Sequence, residues 1–229
     1  MIMFPGVGTV INAGSVLLIG FLSRLFIKKE IKNFENNLLP LGLLVLTLGI
    51  RETLKGNDFM IILFSVLIGA LIGSYLKIEE KIEQFGNYLH TKFESADVDK
   101  SKFIDSYLTA TLIVITGPLA IVGPFFDVIE NNVELLLIKS ALDCFLVLFL
   151  TSSGGKGAVY CGLSILIYQG FFTLCAFGIG EVINETISNS IAGVGGVLLV
   201  GVGINLLGIK KIPVGNYILS LFIPIFLTL

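Results

Sequence analysis

Glu134-Leu-Leu-Leu-Ile-Lys139-Ser140-Ala-Leu-Asp143-Cys144-Phe-Leu-Val-Leu-Phe-Leu-Thr-Ser-Ser-Gly154-Gly-Lys156-Gly157 is apolar over most of its length, yet it carries a lysine and an aspartate four residues apart. On a helix that spacing puts Lys139 and Asp143 on one face, within pairing distance. An ionisable residue at bilayer depth costs about 2.5–3.5 kcal/mol or more, and it turns toward protein or water rather than lipid. The run predicts a membrane-depth helix with a polar face.

The rest of the chain supports a membrane setting. Only 14% of its 229 residues are charged and 55% are hydrophobic, against about 25% charged in a soluble domain. So large an apolar excess divides into several segments for which lipid is the solvent. The net charge of −2 gives no basic field for nucleic acid. Cys144, Cys161 and Cys175 lie far apart in apolar segments and read as small core residues. With His90 the only histidine, a zinc site is not expected. The first apolar run is followed by lysines rather than preceded by them, so it reads as a retained helix and not a signal peptide.

Taken in order, the apolar runs predict eight helices, at 8–27, 38–55, 59–76, 104–123, 133–152, 158–180, 190–208 and 212–229. The fold class is therefore an all-α polytopic membrane protein. The fifth run is the one that could instead be re-entrant. Lysine and arginine collect in cytoplasmic loops. Arg24, Lys28, Lys29 and Lys32 mark the first loop, Lys77, Lys81, Lys92, Lys100 and Lys102 the third, Lys156 the fifth, and Lys210 with Lys211 the seventh. The fourth and sixth loops, 124–132 and 181–189, carry Asp127, Glu130, Glu181 and Glu185 and no basic residue. Eight spans in an inner membrane with both termini outside fit this alternation. The second loop, with Arg51 and Lys55, is its exception.

An internal repeat is visible. Leu41-Gly-Leu-Leu-Val-Leu-Thr-Leu-Gly49-Ile matches Gly195-Gly-Val-Leu-Leu-Val-Gly-Val-Gly203-Ile. A helix opening on small residues precedes each, Gly8-Thr-Val-Ile-Asn12-Ala-Gly14 and Gly157-Ala-Val-Tyr-Cys-Gly162, and one more apolar helix follows each. Helices 1–3 thus pair with helices 6–8 at an offset of five spans. An odd offset makes the copies cross in opposite directions, as in inverted-topology repeats. The single transmembrane domain 1–229 then divides into a first repeat (1–76), a cytoplasmic connector (77–103), central helices (104–157) and a second repeat (158–229). In the connector, Ile78, Ile82, Phe85, Leu89 and Phe93 form one apolar stripe, predicting an amphipathic helix along the membrane surface.

Three neutral amides, Asn12, Gln169 and Asn205, also fall near membrane depth. Each can tie helices together or join the Lys139–Asp143 pair, with Ser140 beside it, around a solute. Breakers mark irregular backbone: Gly117-Pro118 and Gly123-Pro124 in the fourth helix, Gly154-Gly-Lys-Gly157 between the fifth and sixth, and Gly193-Val-Gly-Gly196 at the start of the seventh. Gly69-x-x-x-Gly73 is a close-packing pattern. Ser152-Ser-Gly-Gly-Lys-Gly lacks the spacing of a phosphate-binding loop. No nucleophile–base motif is present, so an enzyme is not expected.

Gly8-Thr-Val-Ile-Asn12, Ile138-Lys-Ser-Ala-Leu-Asp143, Tyr168-Gln-Gly170 and Gly195-Gly-(x6)-Gly203-Ile-Asn205 with Ile209-Lys-Lys-Ile212 resemble the bacterial membrane proteins of the domain-of-unknown-function 554 family. The resemblance covers nearly the whole chain. It implies a multi-spanning inner-membrane protein of transporter type, and it supplies no substrate and no functional residues. The chain departs from the family's usual pattern at Ser74, where an acidic residue is common, and at Cys144, where glycine is common.

These readings converge on a secondary transporter for a small polar or charged solute, working by alternating access. Its solute site would comprise Asn12, Lys139, Ser140, Asp143, Gln169 and Asn205. Its partners are the lipid bilayer and the solute, with H+ or Na+ as the coupling ion, no organic cofactor, and a homo-oligomer compatible with the pattern. The alternatives are a scaffold or sensor acting through residues 77–94, and an oligomeric channel.

Overall fold

The computed structural model describes residues 4–26, 34–95, 98–117, 119–129, 131–179 and 184–228. All regular structure among them is helical. The elements are α1 (Val7–Phe26), α2 (Phe34–Thr53), α3 (Phe59–Leu76), α4 (Ile78–Phe93), α5 (Lys100–Thr116), α6 (Leu119–Ile129), α7 (Glu134–Ser152), α8 (Cys161–Ile179), α9 (Glu185–Leu206) and α10 (Ile223–Thr228). Two 3-10 segments, Lys156–Tyr160 and Val214–Leu221, lead into α8 and α10.

Local chemistry sets several boundaries. Asp58 caps α3 by accepting from the Met60 N–H at 2.8 Å, and Asn184 caps α9 by accepting from the Ile187 N–H at 2.9 Å. Lys77, in the left-handed region at φ 53°, ends α3 and turns the chain into α4. Gly154 at φ 100° makes the turn out of α7.

Among the described residues five helices are long and apolar enough to cross a membrane: Val7–Leu25, Phe59–Leu76, Glu134–Ser152, Lys156–Gly178 and Glu185–Leu206. α5 and α6 make a sixth if they count as one span bent by 53°. Two of the eight expected segments fall short. α2 keeps polar residues at both ends, Glu35, Asn36 and Asn37 before its apolar run and Arg51 and Glu52 after it. The last segment is a 3-10 turn followed by a six-residue helix rather than one long rod. The segment least expected to span, 133–152, is an unbroken α7.

The breakers divide into two kinds. At Gly117-Pro118, α5 ends at Thr116 and α6 begins at Leu119, with Gly117 in neither helix; Pro118 itself lies outside the described residues. Gly123-Pro124 does not interrupt its helix: Pro124 lies inside α6, and Gly123 lets α6 approach Leu136. Gly193-Val-Gly-Gly196 does not open a helix either. α9 runs unbroken through it, and its glycines admit close neighbours, Ile62 at Gly193 and Thr53 at Gly196.

The chain folds into two compact units. The first holds α1, the C-terminal half of α4, α5 as far as Ile115, α6, α7 and α8. In it α1 and α7 run parallel, with Gly8 against Leu136 and Gly20 against Val147. α8 runs antiparallel to α1: Thr9 meets Thr173, Asn12 meets Gln169, and Gly20 meets Val159. The apolar stripe of α4 is covered in part. Leu89 is buried, Phe85 packs edge-on to Tyr107 and His90 edge-on to Phe103, while Phe93 stays exposed and stacks on Tyr160.

The second unit holds α2, α3, the N-terminal half of α4, α9 and α10. α2 and α9 cross antiparallel at glycines. Gly42 faces Leu206 and Leu207, Gly203 faces Leu46, and Gly49 faces Val200. α3 lies antiparallel to the Val214–Leu221 turn, where Gly69 meets Ser220 and Gly73 meets Asn216. The Gly69–Gly73 pattern therefore marks a close contact, as expected, and its partner is a 3-10 segment. Glu79 and Asn216 lock α4 to that turn reciprocally: the Gly215 N–H donates to Glu79 at 2.8 Å, and the Glu79 N–H donates to Asn216 at 2.9 Å.

Candidate functional site

Four of the six expected site residues meet in the first unit. The Lys139 ammonium donates to Asp143 at 2.6 Å, so the i, i+4 pair forms as its spacing requires. From α1, Asn12 Nδ2 donates to Asp143 at 3.1 Å and to Gln169 Oε1 of α8 at 3.4 Å. All four side chains are buried, Asn12 at 0%, Gln169 at 1%, Lys139 at 5% and Asp143 at 6% exposure. Three helices thus each contribute a polar group to one point.

A fourth helix contributes backbone. Lys139 also donates to the Val114 carbonyl of α5 at 2.8 Å. In a continuous helix that carbonyl would accept from the N–H four residues on. The residue there is Pro118, which has no N–H. The break that the sequence writes as Gly117-Pro118 leaves a carbonyl free, and the buried ammonium takes it.

Among the described residues, two atoms of the cluster have no hydrogen-bond partner, Asn12 Oδ1 and Gln169 Nε2. One is an acceptor and the other a donor. Turning either amide over would set Asn12 Oδ1 against the Asp143 carboxylate or two NH2 groups against each other, so the bonds fix both orientations.

Two expected members stay outside the network. Ser140 is buried, but its hydroxyl donates back to the Leu136 carbonyl of its own helix at 2.7 Å. Asn205 belongs to the second unit, where both ends of its amide close a loop: Nδ2 donates to the Ile212 carbonyl at 2.8 Å and Oδ1 accepts from the Ile212 N–H at 2.7 Å. A turn after a helix end needs such a partner, and Asn205 supplies it.

The structure adds residues that the sequence did not single out. Asp127, expected in a loop, is fully buried in α6 and accepts from the Gly8 N–H at 2.8 Å. A carboxylate there satisfies orphan donors at the start of α1 and complements the helix dipole. Its distance in sequence from Gly8 hid the pairing. At the opposite end of α1, about 24 Å away by helix rise, Arg24 makes a two-pronged ion pair with Glu94, at 2.5 and 2.7 Å. The Tyr160 hydroxyl also donates to Glu94, at 2.9 Å. Arg24 had counted only toward loop charge.

Burial alone would raise the Glu94 carboxyl, but the hydrogen bonds from Arg24 and Tyr160 hold it below its ordinary 4.5. A depressed carboxyl contributes stability that is present above its unfolded value and lost as pH falls through the folded one. Glu94→Gln should therefore cost about 1.5–3 kcal/mol at neutral pH, the usual worth of a hydrogen bond to a charged group. The variant should also lose part of the acid sensitivity below pH 4.5. Thermal unfolding of both proteins across that range checks this, and equal slopes would show that Glu94 is not the group responsible.

The comparisons with known proteins bear on the whole chain. The model of the family described as "Protein of unknown function (DUF554)" matches residues 7–229. The chain belongs to this family. Among its relatives, the "Uncharacterized membrane protein YdfK" of Bacillus subtilis (strain 168) is 30% identical over 95% of this chain and 93% of its own length. The "Uncharacterized protein YqgA" of Escherichia coli (strain K12) is 25% identical over 95% and 94%. No solved structure matches the chain. The resemblance stated from sequence is thus correct; one relative is named a membrane protein, this chain carries several helices long and apolar enough to cross a membrane, and membership gives it no activity.

Proposed function

We propose that this protein is a secondary transporter which moves a small polar solute by alternating access, with the solute held at Asn12, Lys139, Asp143 and Gln169. The observation that carries the reading is the convergence of three helices and the freed carbonyl of a broken fourth on one buried charged cluster. Transporter sites are built this way, from side chains and unwound backbone at membrane depth.

The inverted repeat is part of the proposal. Each repeat pairing read from sequence joins segments that pack against each other antiparallel: α1 with α8, α2 with α9, and α3 with the Val214–Leu221 turn. Opposite direction is what inverted copies require. Eight membrane-embedded segments in the inner membrane, with both termini outside, remain the topology that the lysine distribution favours. The scaffold reading drew on an exposed apolar stripe at 77–94; Leu89 is buried and Phe85 packs on Tyr107, so part of that stripe is covered, while Phe93 stays exposed.

The test is movement of solute. Proteoliposomes loaded in sucrose are diluted into iso-osmotic serine, lactate, choline chloride or glycerol, and swelling is followed by light scattering. Protein should accelerate swelling in at least one solute by tenfold or more over empty vesicles, and Gln169→Leu should slow it. Equal rates in every solute would refute transport of this class.

A further inference from the structure

The cluster carries two charges and two unused hydrogen-bonding atoms, and together they describe one kind of guest. Resting on the transporter reading above, the geometry points to a zwitterion as the solute: a small amino acid whose carboxylate pairs with Lys139 and Gln169 Nε2 while its ammonium pairs with Asp143 and Asn12 Oδ1.

The argument begins with charge. Lys139 and Asp143 sum to zero, and both are buried. A single added charge at such a site is left uncompensated, which is the costly case for a buried ion. A lone anion facing Lys139 leaves Asp143 unmatched, and a lone cation facing Asp143 leaves Lys139 unmatched. A zwitterion inserted between them replaces one ion pair by two and keeps the total at zero. It needs no proton or metal ion to enter with it.

Hydrogen bonding narrows the guest in the same direction. Asn12 Oδ1 requires a donor and Gln169 Nε2 requires an acceptor. Asn12 already donates to Asp143, so a donor reaching Oδ1 comes beside the carboxylate, where an ammonium has spare N–H groups. A carboxylate oxygen has the lone pairs that Gln169 Nε2 requires. Asn12 Oδ1 therefore sits beside the charge that would bring its partner, and Gln169 Nε2 belongs to the same cluster, joined to it through Asn12. A neutral polyol could satisfy the two amides, but it would leave the ion pair closed.

The groups around the pair leave this count unchanged. Cys144 on α7 and Cys161 at the start of α8 are within electrostatic reach of Asp143. α1 brings Asn12, α5 the Val114 carbonyl, and α8 Gln169. The carboxylate on α6, Asp127, is engaged at Gly8. Among the described residues no group of three or more His, Cys, Asp or Glu could hold a metal ion.

The wild-type protein tests this directly. Thermal unfolding of the purified protein in detergent is followed by far-UV circular dichroism with glycine, serine, acetate, methylammonium chloride or glycine betaine, each at the same concentration. Glycine or serine should raise the midpoint by about 2–8 °C when in large excess over Kd. Acetate and methylammonium, alone or mixed, should not. Glycine betaine keeps both charges but has no N–H for Asn12, and it should protect less than glycine. Asp143→Asn should weaken glycine at least tenfold. Acetate or methylammonium protecting as well as glycine would overturn the zwitterion inference and leave the transport reading standing, since solute still binds. No shift with either amino acid, in a protein whose vesicles still swell in another solute, would overturn it as well.

Discussion

Lys139→Met is expected to destabilise the protein by about 3–5 kcal/mol, the usual penalty for removing one partner of a buried ion pair. Methionine fills much of the lysine stem's volume, so the loss is electrostatic rather than a cavity. Asp143 would be left buried with only the Asn12 amide bonded to it, and the Val114 carbonyl would lose the ammonium that stands in for the missing Pro118 N–H. The double variant Lys139→Met/Asp143→Leu removes both charges and should recover most of the stability, because a packed apolar pair is often as stable as a buried salt bridge. Thermal or denaturant unfolding in detergent checks both. The cycle also separates two roles. If the pair only braces α7, the double variant should recover fold and solute binding together. If the pair holds the solute, the fold returns and binding does not. A double variant as unstable as the single would mean that the carbonyl bond, not charge balance, dominates.

How much of this was legible in sequence follows from the range of each interaction. Lys139 and Asp143 are one helical turn apart, so their pairing follows from spacing alone. The helix break is likewise local: Gly117-Pro118 dictates it, and the same proline dictates which carbonyl goes free. What spacing cannot give is which distant group answers a local one. Asn12 and Gln169 joined the pair and Asn205 did not, although all three are amides in apolar helices. Asn205 lies at the end of α9, where a turn needs capping seven residues on, and that local demand takes both ends of its side chain. Asp127 and Glu94 were missed for the converse reason. Each lies near the end of a helix, where acids are common in loops, and only tertiary packing sets one on Gly8 and the other on Arg24. Glycine was ambiguous in the same way. Gly193-Val-Gly-Gly196 has the composition of a breaker, but tight contacts to Ile62 and Thr53 make it a packing surface within an unbroken helix.

The sharpest expected effect of such a contact is at Gly73. A Cβ there would collide with the backbone carbonyl of Asn216, which cannot turn aside as a side chain could. That turn is held in place by the Glu79–Gly215 and Glu79–Asn216 hydrogen bonds, so α3 would have to move instead. Overpacking of this kind costs about 1–3 kcal/mol, and more where backbone is the obstacle. Gly73→Ala should therefore lower the unfolding midpoint clearly despite alanine's better helix propensity. Gly14→Ala provides the matched control. Gly14 is also helical, and a Cβ there meets nothing within 4 Å. Its substitution should be neutral or stabilising by up to about 1 kcal/mol. Unfolding midpoints of the two variants, measured side by side in one detergent, carry the comparison. Equal midpoints would mean that α3 does not approach the 214–221 turn as closely as this packing requires, and the antiparallel pairing of the third helices would lose its main support.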